Sequence, residues 1–270
     1  MTELIGLAPL LGTLVGLVLG LTGAGGGVLA VPALMLGLGM NLTDATPVSL
    51  IAVGAAASLG AVAGLRNRQV RYRAALLMAG LGILSAPLGI WLAHRLQQTL
   101  LVVIFCTIML LIAARMLHQA RTAHGTDGEP QPGSRACALD PKTGRFRWNT
   151  RCSATLAGIG SVAGLFTGML GVGGGFLIVP AFRQFSDLTM QAAAATSLAV
   201  IALVSTTTVI GTLLHGGQIN LLGWTFIVTT GVGMLIGRIL ATRIPGRWLQ
   251  AGFGVVVLLV AVAWLARLFV

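Results

Sequence analysis

The segment "GLTGAGGGVLAVPALM" at residues 20–35 carries three consecutive glycines inside a run otherwise apolar enough to be a helix, and "GMLGVGGGFLIVPA" at residues 168–181 does the same. At an offset of 148, Gly20, Gly23, Gly25, Gly26, Gly27, Leu29, Val31, Pro32 and Ala33 match Gly168, Gly171, Gly173, Gly174, Gly175, Leu177, Val179, Pro180 and Ala181. A helix interrupted in an apolar medium leaves backbone groups unpaired unless protein, water or ligand satisfies them. Glycine permits the turn and lets backbone N–H groups approach a ligand. The helix resuming at Val28 or Phe176 would point its positive end into the break. The chemistry implied is anion binding. Glycines also serve tight helix packing, but two GxGGG runs, each followed by a VPA step, favour a ligand site. Pro32 and Pro180 are read as fixing a bend.

Hydroxyls in the following spans could complete such a cavity. Thr43, Thr46, Ser49 and Ser58 lie in the first half, and Thr196, Ser197, Ser205, Thr206, Thr207 and Thr208 in the second. Most are expected to bond back to their own helix carbonyls. Ser49 and Ser197 stand apart because they recur at equivalent positions. The candidate binding set is therefore Gly23, Gly25, Gly26, Gly27, Ser49, Gly171, Gly173, Gly174, Gly175, Thr196 and Ser197.

Other chemistries find little support. Val28 follows the first glycine run where a phosphate loop needs Lys-Ser/Thr, and no strand context for a dinucleotide fold is present, so no cofactor is expected. Cys106, Cys137 and Cys152 have no CxxC spacing and no His cluster, so neither zinc nor a disulfide framework is indicated. Asp44 and Asp187 are expected to precede helices and cap them. No acid lies deep in a span. Arg238, near a span end, is expected to snorkel outward, and His215 to sit solvated in a loop. A membrane-embedded enzyme should cluster His, Asp, Glu or Cys near one face; this chain scatters six acids and four histidines.

The elements that must position these residues follow from composition. Hydrophobic residues make up 56% of the chain, charged residues 9%, and mean hydropathy is +0.94, against roughly 25% charge in soluble domains. This is the composition of an integral membrane protein. Apolar runs long enough to span about 30 Å of hydrocarbon cover residues 4–21, 48–65, 74–93, 100–117, 153–170, 192–214, 221–241 and 248–270. Shorter runs, Val28 to Met40 and Phe176 to Phe182, follow the glycines. The leader "MTE" lacks the basic residues of a signal peptide, and the first run is repeated from Ser153, so residue 1 is kept in the domain.

Ser49 and Leu50 fall on Ser197 and Leu198, and Gly89, Leu92, Ala93 and Arg95 on Gly237, Leu240, Ala241 and Arg243. The chain reads as two homologous transmembrane repeats, 1–117 and 153–270, joined by an exposed linker, 118–152, rich in Gly, Pro and charge. Phe146 and Trp148 read as interfacial anchors. The expected fold is an all-α polytopic membrane protein of about eight long hydrophobic helices plus two short helices after the glycine breaks.

A net charge of +11 arises from arginines in short loops, which cytoplasmic retention explains without nucleic acid. If each glycine break turns the chain back as a hairpin, each half crosses an odd number of times, the halves are inverted, and the loops at 66–73, 118–152, 183–190 and 242–247 share the cytoplasmic side. The charge rule favours that arrangement over parallel halves. Inverted repeats with interrupted helices point to a secondary transporter with its site near the midplane.

The duplicated "GAGGGVLAVPAL" and "GVGGGFLIVPAF", the "ATSL" at Ala195 to Leu198 and the "GRFRW" before the second half resemble the sulfite exporter TauE/SafE family, also called 4-toluene sulfonate uptake permeases, over nearly the whole chain. The resemblance implies transport of sulfur-containing anions such as sulfite, sulfonates and sulfoacetate across the bacterial inner membrane. "ATPVSL" at Ala45 to Leu50 departs from the second half through Pro47, so the half-sites are expected to be unequal. An accessory subunit without its own pathway is the alternative to a transporter. The duplication argues for a pathway within one chain and leaves room for a homodimer.

Overall fold

In a computed structural model of the 270-residue chain, the structure describes residues 2–23, 26–40, 42–122, 137, 148–171, 173–186, 188–214, 221–241, 243–244 and 246–269. Gly25, Asn41, Phe146, Asp187, His215 and most of the linker lie outside the described residues.

The described chain is helical. In order it forms α1 (Thr2–Thr22), α2 (Gly26–Pro32) continued by a π-helical turn (Ala33–Gly37), α3 (Leu42–Arg66), α4 (Tyr72–Arg95), α5 (Gln98–Thr122), α6 (Thr150–Leu170), α7 (Gly175–Phe185), α8 (Met190–Leu214), α9 (Leu221–Ala241) and α10 (Gly246–Phe269). Five stretches are long and apolar enough to cross a membrane: Asp44–Arg66, Tyr72–Ala93, Thr150–Leu170, Met190–Thr207 and Leu222–Ala241. α7 has 11 residues rather than the seven of the apolar run, because the helix carries on through Arg183 and Gln184. At about 1.5 Å per residue it rises roughly 16 Å, still well short of a bilayer. Asp44 lies within the first turn of α3 instead of before it, since the helix already starts at Leu42. Its charge still complements the positive helix end there.

The two repeats interleave. α1 packs along α9, α6 along α4, α3 crosses α8, and α5 pairs with α10. Glycines allow the closest of these approaches. Gly12, Gly16 and Gly20 rest against Phe226, Thr230 and Met234 in turn, so α1 and α9 run in the same direction. Gly160, Gly164 and Gly168 rest likewise against Met78, Gly82 and Ala86, so α6 runs with α4. These two Gly-x₃-Gly-x₃-Gly stripes lie 148 residues apart, and any side chain on them would strike the partner's backbone. α3 and α8 run oppositely, with Gly54 beside Ser205 and Gly64 beside Ala195.

α3 and α8 are the centre of the molecule. Their spans are 61% and 67% buried, whereas those of α4 and α9 are 33% buried. α4 and α9 expose Leu84, Leu88, Trp91, Val228, Val232 and Ile239 outward, which suits a surface solvated by lipid. A separate apolar cluster, including Val28, Val31, Phe105, Met109, Phe176, Phe253 and Val257, clamps the short helices α2 and α7 between α5 and α10. Phe105 meets Phe176 edge to face at 6.4 Å between centroids.

Cys137 and Cys152 form a disulfide, which corrects the expectation from their spacing. The pairing is made by the fold: the Cys137 N–H donates to the Phe185 carbonyl at 3.0 Å, at the end of α7, and Cys152 lies in the first turn of α6. Cys106 is a buried free thiol. Among the described residues, no cluster of three metal-ligating side chains occurs.

Candidate functional site

Both glycine runs turn the chain back on itself. Gly23 ends α1 with φ +74°, its N–H bonded to the Leu19 carbonyl at 2.8 Å. Gly171 ends α6 with φ +68°, its N–H bonded to the Thr167 carbonyl at 2.9 Å. The short helices then run back along the helices they follow: Gly26 lies against Leu19 and Val15, and Gly174 against Ala163 and Thr167. The second turn needs two further left-handed residues, Gly173 (φ +75°) and Gly174 (φ +55°), a conformation that costs L-residues about 1–2 kcal/mol each. Gly26 is already helical and has no such requirement.

The candidate residues therefore divide by role. Gly26 and Gly174 make room for the preceding helix of their own hairpin, and Gly27 and Gly175 are buried in the first turns of α2 and α7. Gly23 is pressed against Ala194 of α8, and Gly171 against Thr46 of α3. Gly173 has more room: a β-carbon there would make ordinary contacts with Ile201, Val53 and Ser205 at 3.4, 3.5 and 4.0 Å.

Ser49 and Ser197 reach across the repeat. Ser197 Oγ shares its proton between the Gly23 carbonyl at 2.8 Å and the Ala194 carbonyl of its own helix at 2.9 Å, and Ser49 Oγ donates to the Gly171 carbonyl at 3.3 Å. Each break is thus held by a fully buried hydroxyl from the central helix of the opposite repeat. The longer second bond belongs to the helix that carries Pro47. Thr196 does other work: it bonds back to the Ala192 carbonyl at 2.7 Å and accepts the Arg71 N–H at 3.2 Å, fixing the α3–α4 loop to α8.

Ser58, Thr206 and Thr207 bond back to Gly54, Ala202 and Val204, as expected. Ser205 does not. It is fully buried beside Gly173, and its hydroxyl has no hydrogen-bond partner among the described residues. At 148 residues' offset its counterpart is Ala57.

A cavity of about 320 Å³ opens beside the first break. It lies at the end of the molecule where α1, α3 and α9 finish and α6, α8 and α10 begin, the end that the linker joins. Gly20, Leu21 and Gly23 form one wall, and Asn67, Gln69, Gln191 and Arg238 supply polar groups. Arg238 does not snorkel away. Its Nη1 donates to the Gly60 carbonyl at 2.8 Å and its side chain lines the cavity. A spacing rule based on distance from the span end misses this because it cannot register the Gly60 carbonyl on α3 that accepts from the guanidinium.

Comparison with known proteins agrees with this architecture. The family model described as "Sulfite exporter TauE/SafE" matches residues 8–264. Proteins from two strains of Xylella fastidiosa, Temecula1 / ATCC 700964 and 9a5c, each named "Probable membrane transporter protein", are 30% identical to the chain, the matches covering 93% of this chain and 91% of theirs. The "Probable membrane transporter protein MamO" of Paramagnetospirillum magneticum is 24% identical over 86% of this chain and 38% of its own length. The chain belongs to the sulfite exporter TauE/SafE family, a family of membrane transporters.

Proposed function

We propose that this multi-pass membrane protein is a secondary transporter or facilitator for a small sulfur-containing anion, of the sulfite, sulfonate or sulfoacetate kind, in a bacterial inner membrane. The observation that carries the reading is the pair of breaks, each with its carbonyl held by a buried serine of the other repeat. Backbone turned back in the middle of an apolar bundle is tolerated where it is buried in protein or lines a cavity, and here one break lines a cavity that holds an arginine.

The repeats are inverted. α3 and α8 are equivalent by sequence yet run oppositely, and a two-fold rotation that exchanges two antiparallel spans has its axis perpendicular to them, in the bilayer plane. α1 follows α9 and α6 follows α4, which agrees with the same axis. Eight helices cross and the two short ones return partway. The arginine-rich end, with Arg66, Arg68, Arg71, Arg73, Arg151 and Arg243, then faces the cytoplasm, and both termini face the periplasm. The anion passes near the α3–α8 crossing, where Gly173 and the Ser205 hydroxyl meet.

With no buried carboxylate among the described residues to carry protons, the membrane potential drives the anion outward. An interior about 100 mV negative favours outward movement of each net negative charge by about 2.3 kcal/mol. Proteoliposomes loaded with sulfite and given a potassium-diffusion potential test the reading. Efflux that rises with an inside-negative potential is expected; flux that ignores potential and follows a pH gradient defeats the electrogenic mechanism, and no flux of any sulfur oxyanion defeats the function.

A further inference from the structure

We propose that Arg238 is the anion anchor of the cavity beside the first break, and that the cavity is built for an oxyanion with three acceptor oxygens on one sulfur; the ligand class rests on the function proposed above, the anchor does not. Arg238 makes one hydrogen bond among the described residues, to the Gly60 carbonyl, and no described carboxylate pairs with it. A guanidinium carries five N–H donors in a planar fork. One edge is thereby tethered to α3, and the remaining donors are left for a ligand. An unpaired cation in an apolar span is costly and marks a substrate or ion path by default.

Two glycines of α3 lie beside this side chain. A β-carbon at Gly60 would press on Met234 and Leu198 and one at Gly64 on Ala195 and Val70, while each would make only ordinary contact, at 3.4 Å, with Nη1 and Nη2 respectively. In the other repeat the counterparts of Gly60, Gly64 and Arg238 are Thr208, Thr212 and Ile90. Ile90 is 40% exposed on the outer surface. Where the cation is absent, so are the two glycines that lie beside it. The device exists in one repeat only.

The rest of the lining suits the ligand. Asn67, Gln69 and Gln191 line the same cavity as Arg238, so a ligand there has carboxamide donors besides the guanidinium. A sulfite or sulfonate group offers three oxygens to meet them; a carboxylate offers two. Fixed dipoles plus one cation compensate a small anion without trapping it as a full set of cations would.

The test uses purified full-length protein in nanodiscs. Phenylglyoxal labelling of Arg238, read by peptide mass spectrometry, should slow at least fivefold with sulfite or methanesulfonate at saturation, and much less with acetate at the same ionic strength. Calorimetric affinity for sulfite should fall at least tenfold in Arg238→Gln and much less in Arg238→Lys, which retains the cation. Labelling unaffected by any anion overturns the anchor even if the variants fail to fold, and sulfite affinity unchanged in folded Arg238→Gln does the same. Protection by acetate equal to that by sulfite overturns the ligand class alone. Wild-type protein that transports sulfite while its Arg238 stays unprotected defeats this inference and leaves the transport reading standing.

Discussion

The two glycine breaks share a backbone device and differ in what surrounds it. Each ends a long helix on a left-handed glycine, turns back alongside that helix, and has its carbonyl held by a serine from the other repeat. The first opens on a cavity with Arg238, Gln69 and Gln191. The second buries Gly173 against Val53, Ile201 and an unpartnered Ser205, and its short helix ends where Cys137 is tied to Cys152. The shared backbone device is thus set among different neighbouring side chains.

The largest effects should be those that ignore the difference. Gly16→Leu and Gly164→Leu, on the packing stripes of the two repeats, should each cost about 3 kcal/mol or more, because the new side chain meets partner backbone that cannot yield. Loss of monodisperse protein on size exclusion for both is expected; tolerance of either would show that its repeat is not packed on those stripes.

Reduction should then separate the repeats in purified, oxidised protein; at the end assigned to the cytoplasm the two cysteines would stay as thiols in the cell. The disulfide closes a loop with sequence separation 15, which in the chain-entropy model is worth roughly 3 kcal/mol. Dithiothreitol, or Cys137→Ser, should lower the melting temperature and raise hydrogen exchange in α7 but leave α2 unchanged. Equal exchange in both short helices would remove this part of the contrast.

The serine pair tests how alike the breaks are. Ser197→Ala strips a short bond from a buried carbonyl and should cost about 1–2 kcal/mol. Ser49→Ala breaks the longer bond and should cost less than half as much. Chemical denaturation of both variants gives the ratio. A larger loss for Ser49→Ala would invert the ranking of the two breaks.

The smallest change in stability, and the sharpest comparison, comes from Ser205→Ala. A buried hydroxyl without a partner is a desolvation cost, so its removal should leave stability unchanged or raise it by up to about 1 kcal/mol. Sulfite flux should nevertheless fall severalfold. If flux is unchanged, the crossing lacks the hydroxyl step and Ser205 is only a flaw in packing.

Much of this was legible in the sequence because the relevant signals were local or repeated. The apolar composition required a membrane protein, the 148-residue repeat required two related halves, and the glycine runs required turns. Recurrence also distinguished Ser49 and Ser197 from the other hydroxyls, and both reach across the molecule. The stripes at Gly12, Gly16, Gly20 and Gly160, Gly164, Gly168 are equally legible as a four-residue glycine period.

What only the tertiary structure decided involves residues far apart in the chain. Gly26 and Gly174 face their own hairpins, because side-chain direction at a turn depends on how the returning helix docks. Arg238 turns inward because the Gly60 carbonyl, 178 residues earlier on an adjacent helix, accepts its hydrogen bond. Cys137 meets Cys152 because the end of α7 brings the linker back to the start of α6. Composition and period fix which segments leave water and where they turn, since those depend on each residue's own transfer free energy and backbone freedom. Which group faces a cavity depends on the shape of a neighbour, and that exists only after the repeats have interleaved.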